Sequence, residues 1–329
     1  MTRLFIDGFE TSKCSPFWDQ EFGQPWVAAK AGMSGSYCLG ISNATGYLTF
    51  DSNKTEIYLA CKIWNESGTV SNPLFEFRDS AETYIASIIL YGSILGWEIR
   101  VKRGNYNATQ IDSGGWVNYQ TTHLLEVRIK PLDTGGIIQV KIDGVQVINY
   151  SGDTTAGLEN IKSMHWGTHG GVQAAFYTVD DIVIDDANWI GNTRVQKLQI
   201  SGAGTTTEWD ASAGNPYECI DEIPYSDSDW VETNVVDESL TCACADMTGN
   251  IDSVKCVEVY GRMAYEGNPT PTKQKIAIRV NGSEYYGDDE GTALGYGLFG
   301  KRWELNPDDA AAWEEADINA IEIGVRSVT

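Results

Sequence analysis

Apolar residues fall at every second position in stretch after stretch of this chain, and that period of two limits what it can fold into. Ile57, Leu59, Cys61 and Ile63 form one such set. Trp97, Ile99 and Val101 alternate with Glu98, Arg100 and Lys102, and Leu125, Val127 and Ile129 alternate with Glu126, Arg128 and Lys130. Successive side chains of a strand point to opposite sides, so each run reads as a strand with one buried face. Two hairpins are written in the same pattern. Ile138, Val140 and Ile142 lead into Asp143-Gly144, and Ile276, Ile278 and Val280 lead into Asn281-Gly282; such pairs take the positive φ that a two-residue turn demands. No long stretch carries a 3.6-residue period. The best helical candidate is short, near 307–320, where Pro307 and two aspartates suit a first turn. The expected fold class is all-β.

At 329 residues the chain is long enough for two cores. The segment "DDANWIGNTRV", followed by the Gly/Ser/Thr-rich "ISGAGTTTEWDASAGNP", marks a change of unit. We therefore expect two tandem β-sandwiches, residues 1–190 and 191–329, the second with the short helix near 307–320. The acid balance shifts at the same place: 13 Lys+Arg against 21 Asp+Glu before it, 10 against 25 after it. A net charge of −23 argues against nucleic acid as a partner, since phosphate recognition needs clustered cations. No apolar run reaches membrane-spanning length, and the opening "MTRLFIDGFE" puts Asp7 and Glu10 where an export signal would be apolar. Neither membrane insertion nor signal-directed export is expected, and synthesis is expected in a cytoplasm. Seven cysteines, an odd number, fit reduced thiols better than a disulfide framework.

Three stretches together resemble the laminin-G and concanavalin-A-like jelly rolls. They are "LFIDGFE" with the later "GSYCLGIS", the central "THLLEVRIKPLDTGGIIQVKIDGVQVINYSGDT", and the closing "FYTVDDIVIDD". They span most of residues 1–190 and imply a jelly-roll fold there. An opening of the "FIDGFE" kind is similar to virion proteins of tailed bacteriophages. In the second unit, Trp209, Asp221, Glu222, Asp227, Asp229, Trp230 and Val231, then Pro307, Trp313, Ile318, Asn319, Glu322 and Gly324, follow the pattern of a phage tail-type β-sandwich. The resemblance implies a structural part of a virion, on the tail, the baseplate or the head surface. Such a part is made in the host bacterial cytoplasm, joins other virion proteins and forms a closed homo-oligomer. It carries over no catalytic residue.

The jelly-roll resemblance also implies a structural calcium ion where first and last strands meet, held by Glu10 or Asp7 with Asp180 and Asp181; no other cofactor is expected. Calcium takes six to eight oxygens, which carboxylates and carbonyls together can supply. On a regular strand, however, Asp180 and Asp181 point to opposite sides. The plainer expectation is that "DDIVIDD" is a solvated strand end with a turn at Asp185-Asp186.

Glycoside hydrolysis, which this fold invites, needs two carboxylates facing one sugar. Glu76, Asp79 and Glu82, like Glu218 and Asp221, lack the alternating spacing of jelly-roll glucanases, so no enzyme is expected. His165 and His169 stand four apart, a chelating spacing on a helix but not on a strand. Cys242 and Cys244 share a strand face, with Cys219 and Cys256 nearby in sequence, but the zinc-knuckle spacing is missing, and core filling is favoured. Glycan contact is the binding chemistry left, because a sugar's apolar face stacks on aromatic rings. Trp64, opposite the apolar face of its strand, and Trp116, in the loop-like "SGGWVNYQ", are the candidates. The alternatives to a virion part are a lectin-like adhesin and a polysaccharide hydrolase.

Overall fold

A computed structural model describes residues 3–9, 18–22, 26–27, 33, 38–41, 45–65, 71–93, 96–155, 157–167, 177–223, 225–264, 271–291 and 295–329. The chain divides into two compact units, Met1–Val195 and Gln196–Thr329. Among the described residues its regular elements are strands, apart from one short α-helix and one 3-10 turn.

The first unit opens with β1 (Arg3–Asp7), β2 (Gln20–Phe22), β3 (Trp26–Val27), β4 (Leu39–Ile41) and β5 (Thr45–Lys54). It continues through β6 (Ile57–Asn65), β7 (Ser71–Arg78), β8 (Tyr84–Ser93), β9 (Gly96–Arg103) and β10 (Thr109–Val117). The remainder is β11 (Thr122–Lys130), β12 (Gly136–Ile142), β13 (Val145–Gly152), β14 (Ile161–Gly167) and β15 (Tyr177–Asp185). Two antiparallel sheets result. One has eight strands, in the order β13-β12-β11-β6-β15-β4-β3 with β1 also on β15; the other has seven, in the order β10-β9-β8-β7-β14-β5-β2. The alternating apolar sets from both sheets meet in one core that includes Phe5, Leu59, Ile63, Phe75, Phe77, Trp97, Val127, Val140 and Trp166. The unit is a jelly-roll sandwich, and the period of two in the sequence is its two-faced strands. The hairpin turn at Asp143-Gly144 has φ of 51° and 79°, as that pair predicts.

β15 departs from simple alternation. Asp180 pairs with Lys62 and Val183 with Ala60, so Asp181 and Ile182 together stand opposite Cys61. This β-bulge, with Asp181 at φ 49°, flips the phase of the strand. Tyr177 and Val179 face the core before it, and Ile182 and Ile184 face the core after it. The expectation of a solvated strand end does not hold: Asp180, Asp181 and Asp185 are 0%, 2% and 2% exposed. Asp185 is held by Arg3, 3.6 Å away, and accepts the Ala187 N–H.

The cover over the outer face of the eight-stranded sheet comes from the chain's own continuation. Past Asp185 a strap of residues 186–195 lies across that face. Trp189 packs edge-on to Tyr58 with ring centroids 5.6 Å apart, and the Lys141 ammonium sits 3.6 Å above the Trp189 ring. The Gly191 N–H donates to Glu126, and the Val195 N–H to Asp181. Val195 also lies against Gly8, where a Cβ would come within 2.4 Å of the Val195 Cβ, so only glycine fits there. Residues 191–195 thus belong with the first unit.

The second unit contains β16 (Ile200–Thr207), β17 (Asp210–Ala211), β18 (Val231–Glu232), β19 (Ser239–Cys244) and β20 (Val257–Met263). After these come β21 (Lys273–Val280), β22 (Ser283–Tyr286), β23 (Glu290–Gly291), β24 (Gly297–Trp303), the helix α1 (Glu315–Asn319) and β25 (Glu322–Val328). A six-stranded sheet, β16-β19-β25-β21-β22 with β23 on β21, packs against the β20–β24 ribbon through Ile276, Ile278, Val259, Met263 and Trp303. Trp209, Leu240 and Cys242 form a second small cluster. The helix is shorter than the sequence suggests. Residues 307–312 form a turn in which Asn306 accepts the Asp308 N–H, and Asp308 accepts from Tyr285 and Asn281. That side-chain competition for the backbone is why Asn and Asp favour turns over helix interiors.

Glu322 ties three strands of this sheet together. It accepts from the Thr205 N–H at 2.8 Å, the Thr205 hydroxyl at 2.6 Å and the Thr241 hydroxyl at 2.6 Å. Burial alone would raise its pKa, but these bonds and Arg279 outweigh burial and hold it below the ordinary 4.5. A carboxylate with a depressed folded pKa stabilises fully above 4.5 and loses that contribution as pH falls through the lowered value. Glu322→Gln is therefore expected to cost about 2 kcal/mol at neutral pH. It should also flatten the acid limb of stability below pH 4.5, read by denaturant melts across pH.

Candidate functional site: the outer face of the seven-stranded sheet

The strand register lays out the outer face of the seven-stranded sheet row by row. At one end Trp116 on β10 pairs with Glu98 on β9, Glu98 with Tyr91 on β8, and Tyr91 with Ser71 on β7. Tyr91 and Trp116 are 38% and 48% exposed, and they are the two exposed aromatic side chains among the described residues of this unit. One strand, β9, lies between theirs, and two inter-strand spacings set them about 10 Å apart. Between them the Arg100 guanidinium lies 3.2 Å from the Tyr91 ring centroid and donates to Glu98 at 2.8 Å. Flat rings flanking a fixed donor–acceptor pair form a stacking platform with polar handles.

Trp116 lies on a strand, where its sequence context reads as a loop. Gly114 and Gly115 precede it with no side chain, and β10 bulges there while its glycines pass close against Val147 of β13. The two tryptophans named from sequence do not form one site. Trp64 is half-buried on the outer side of β6, between Thr122 and Thr178, in the other sheet. Tyr91 was not legible, because it ends the unbroken apolar run "IILY", in which no alternation can be counted.

Further along the same face a polar cluster surrounds Arg78 of β7. Its Nη1 lies 3.2 Å from Glu82 Oε2, and its Nη2 lies 3.0 Å from the Tyr84 hydroxyl and 3.8 Å from Glu76. The guanidinium also lies 4.2 Å from the Tyr84 ring centroid. His165 on β14 approaches Glu82 through Nε2 at 3.2 Å and stacks on Tyr47, ring centroids 5.1 Å apart. Ser163 meets the same Nε2 at 3.3 Å. A Ser-His-acid relay needs serine and carboxylate on different ring nitrogens, so this is not one. Glu76 and Glu82, which the spacing argument set aside, are thus gathered by the fold, around one guanidinium rather than opposed as acid and base.

The residues expected to hold calcium fare differently. Glu10 lies outside the described residues. Asp181 spends one oxygen on the Lys62 ammonium at 2.7 Å and the other on the Val195 N–H at 2.7 Å. A cation already occupies the place a calcium ion would take, so this carboxylate does not fit a calcium site. Among the described residues, no three His, Cys, Asp or Glu side chains are grouped to hold a metal. His169 lies outside the described residues. His123 accepts the Asn118 N–H on Nε2 and faces Asp143 with Nδ1 at 2.6 Å, a role in the turn.

Among the described cysteines, Cys38, Cys61, Cys219 and Cys242 are buried, and Cys244 and Cys256 are half-buried. Cys242 is fully buried beside Trp209 and Leu240, and burial pushes the thiols of Cys242 and Cys244 up to about 12. Cys61, in the other unit, is also pushed up by burial. A thiol must ionise to react. At pH 8 a maleimide should leave these three unmodified in native protein and label them on unfolding, as counted by intact mass.

No family model matches the chain, and no curated protein sequence matches it. Solved structures do show likeness. The cellulose induced protein Cip1 is 13% identical over 57% of this chain and 100% of its own, with a TM-score of 0.45. The CBM2 module of Lactobacillus casei BL23 phage J-1 evolved Dit is 12% identical over 57% of this chain and 97% of its own, with a TM-score of 0.38. An alginate lyase, Aly36B, solved with an alginate trisaccharide, is 16% identical over 49% of this chain and 88% of its own, with a TM-score of 0.36. The fold assignment rests on the sheets described above. No helix among the described residues is long and apolar enough to cross a membrane.

Proposed function

We propose that the first unit is a glycan-binding jelly roll that works through the outer face of its seven-stranded sheet, binding without turnover. The observation that carries this reading is the row Trp116–Glu98–Tyr91 with Arg100 over Tyr91. Large aromatic side chains stay exposed there, beside charged groups that are already paired and held in place. A sugar meets such a surface with its apolar face on the rings and its hydroxyls on Glu98 and Arg100. Electrophoresis of the full chain through gels containing different polysaccharides tests it. Retardation by at least one of them is expected, and uniform mobility in all of them would remove the reading.

The setting we propose is a tailed-phage particle, in which the second unit serves assembly with other virion proteins as a closed homo-oligomer. The support is the phage-like pattern of "FIDGFE" and of the second unit's Trp209 to Gly324 motif. Gold-labelled antibody on purified particles should decorate the tail tip or the head surface. Unlabelled particles would leave a soluble lectin.

A further inference from the structure

The Arg78 cluster has a feature that its own hydrogen bonds do not explain. Arg78 is 8% exposed, Glu76 4%, and Ser87 and Ser163 are fully buried, although all four lie on the side of the sheet away from the core. Both terminal nitrogens of Arg78 are engaged, yet its Nε–H has no partner. A buried N–H left unmade is costly, so an acceptor oxygen that reaches it by displacing the exposed Glu82 side chain is strongly favoured there. Around it stand the carboxylates of Glu76 and Glu82, which accept and cannot donate. A ligand for this place must offer an acceptor and a donor side by side. Two neighbouring sugar hydroxyls do so, one taking the Nε–H and the next donating to a glutamate.

Charge points the same way. The outer face carries Arg78, Arg100 and Lys102 against Glu76, Glu82 and Glu98, and Arg100 and Arg78 are already paired with these acids. The whole chain is at −23. An acidic sugar would meet one cation without an acid partner, Lys102, whose ammonium is already held by the Tyr106 carbonyl, and would meet Glu76 and Glu82 beside the Arg78 Nε–H. Distance adds a requirement of length. Tyr84, which pairs with Arg78, lies seven residues from Tyr91 along β8, or about 20 Å at strand rise. One sugar ring cannot touch both places.

We infer that the ligand is an uncharged polysaccharide lying along the strands, stacked at Tyr91 and Trp116 and read through vicinal hydroxyls at Arg78. This inference rests on the glycan-binding reading and deepens it. The test is titration calorimetry of the full chain against uncharged and uronate-containing polysaccharides, and against short oligosaccharides of whichever binds, at low and high salt. Uncharged polymers are expected to bind, with little change in affinity between the two salt concentrations. Affinity should rise at least tenfold from a disaccharide to a chain of six rings. Arg78→Lys keeps the charge beside Glu82 but removes the Nε–H. It should weaken the long chain about tenfold and leave the disaccharide unchanged, with melting temperature as the control for folding.

Binding confined to uronate polymers, or affinity falling steeply with salt, would overturn the inference. An Arg78→Lys protein that folds and binds the long chain like the wild type would do the same. If such binding still vanished with Tyr91→Ala and Trp116→Ala, the face would stand and only the ligand class would be wrong. If no glycan bound at all, both readings would fall together.

Discussion

Tyr91→Ala combined with Trp116→Ala is expected to lower affinity for the bound glycan about a hundredfold and to leave the melting temperature nearly unchanged. Each ring supplies a stacking surface worth about 1–2 kcal/mol, and each 1.4 kcal/mol is tenfold in affinity. Stability is largely spared because neither ring belongs to the core, and both keep a large exposed surface. The Arg100–Tyr91 contact is also lost, worth about 0.5–1 kcal/mol at an exposed site. Trp64→Ala serves as the control, since it lies in the other sheet and should not alter binding. The reverse pattern, with binding lost in Trp64→Ala and kept in the double variant, would move the site to the opposite face. Affinity electrophoresis followed by calorimetry measures both outcomes.

The largest effect on stability is expected from Asp181→Ala, at about 3–4 kcal/mol. Its carboxylate is 2% exposed and has two partners, Lys62 and the Val195 N–H. Truncation removes the carboxylate 2.7 Å from a largely buried ammonium and leaves a backbone donor without its acceptor, and each of these is costly. For a unit of this size, 1 kcal/mol moves the melting temperature about 2–4 °C, so a drop of about 10 °C is expected in the first unit's transition. Asp181→Asn keeps an acceptor for Val195 and should lose less. A chelator should leave the wild-type melting curve where it is, because an ammonium, and not a metal ion, answers this carboxylate. A chelator-sensitive melt together with a silent Asp181→Ala would reverse that account.

How far the fold was legible follows from what each residue's periodicity reports. Regular two-faced strands such as β9, β11 and β12 were plain because Glu98, Arg128 and Gln139 break the apolar run at every second place. The Asp143-Gly144 turn was plain because few other pairs tolerate positive φ. β15 was misread, because a bulge at Asp181–Ile182 inverts the faces midway, and nothing in four aspartates reveals a lysine on the neighbouring strand. The site was half legible. Trp116 advertised itself by type, but its partners Tyr91, Glu98 and Arg100 come together only through a register across three strands. Glu76 and Glu82 were dismissed on linear spacing, a poor guide where the turn between β7 and β8 brings Glu82 back over its own strand.

The strap over the eight-stranded sheet has a consequence for how such chains can be recombined. By composition the seam lies at residue 190, and a gene fusion or truncation made there would look clean. It would remove the N–H groups of Gly191 and Val195 and uncover Asp181 and Glu126. The first unit would keep every strand and still be incomplete. A transplantable module must run to residue 195, carrying with it a stretch whose sequence looks like a spacer.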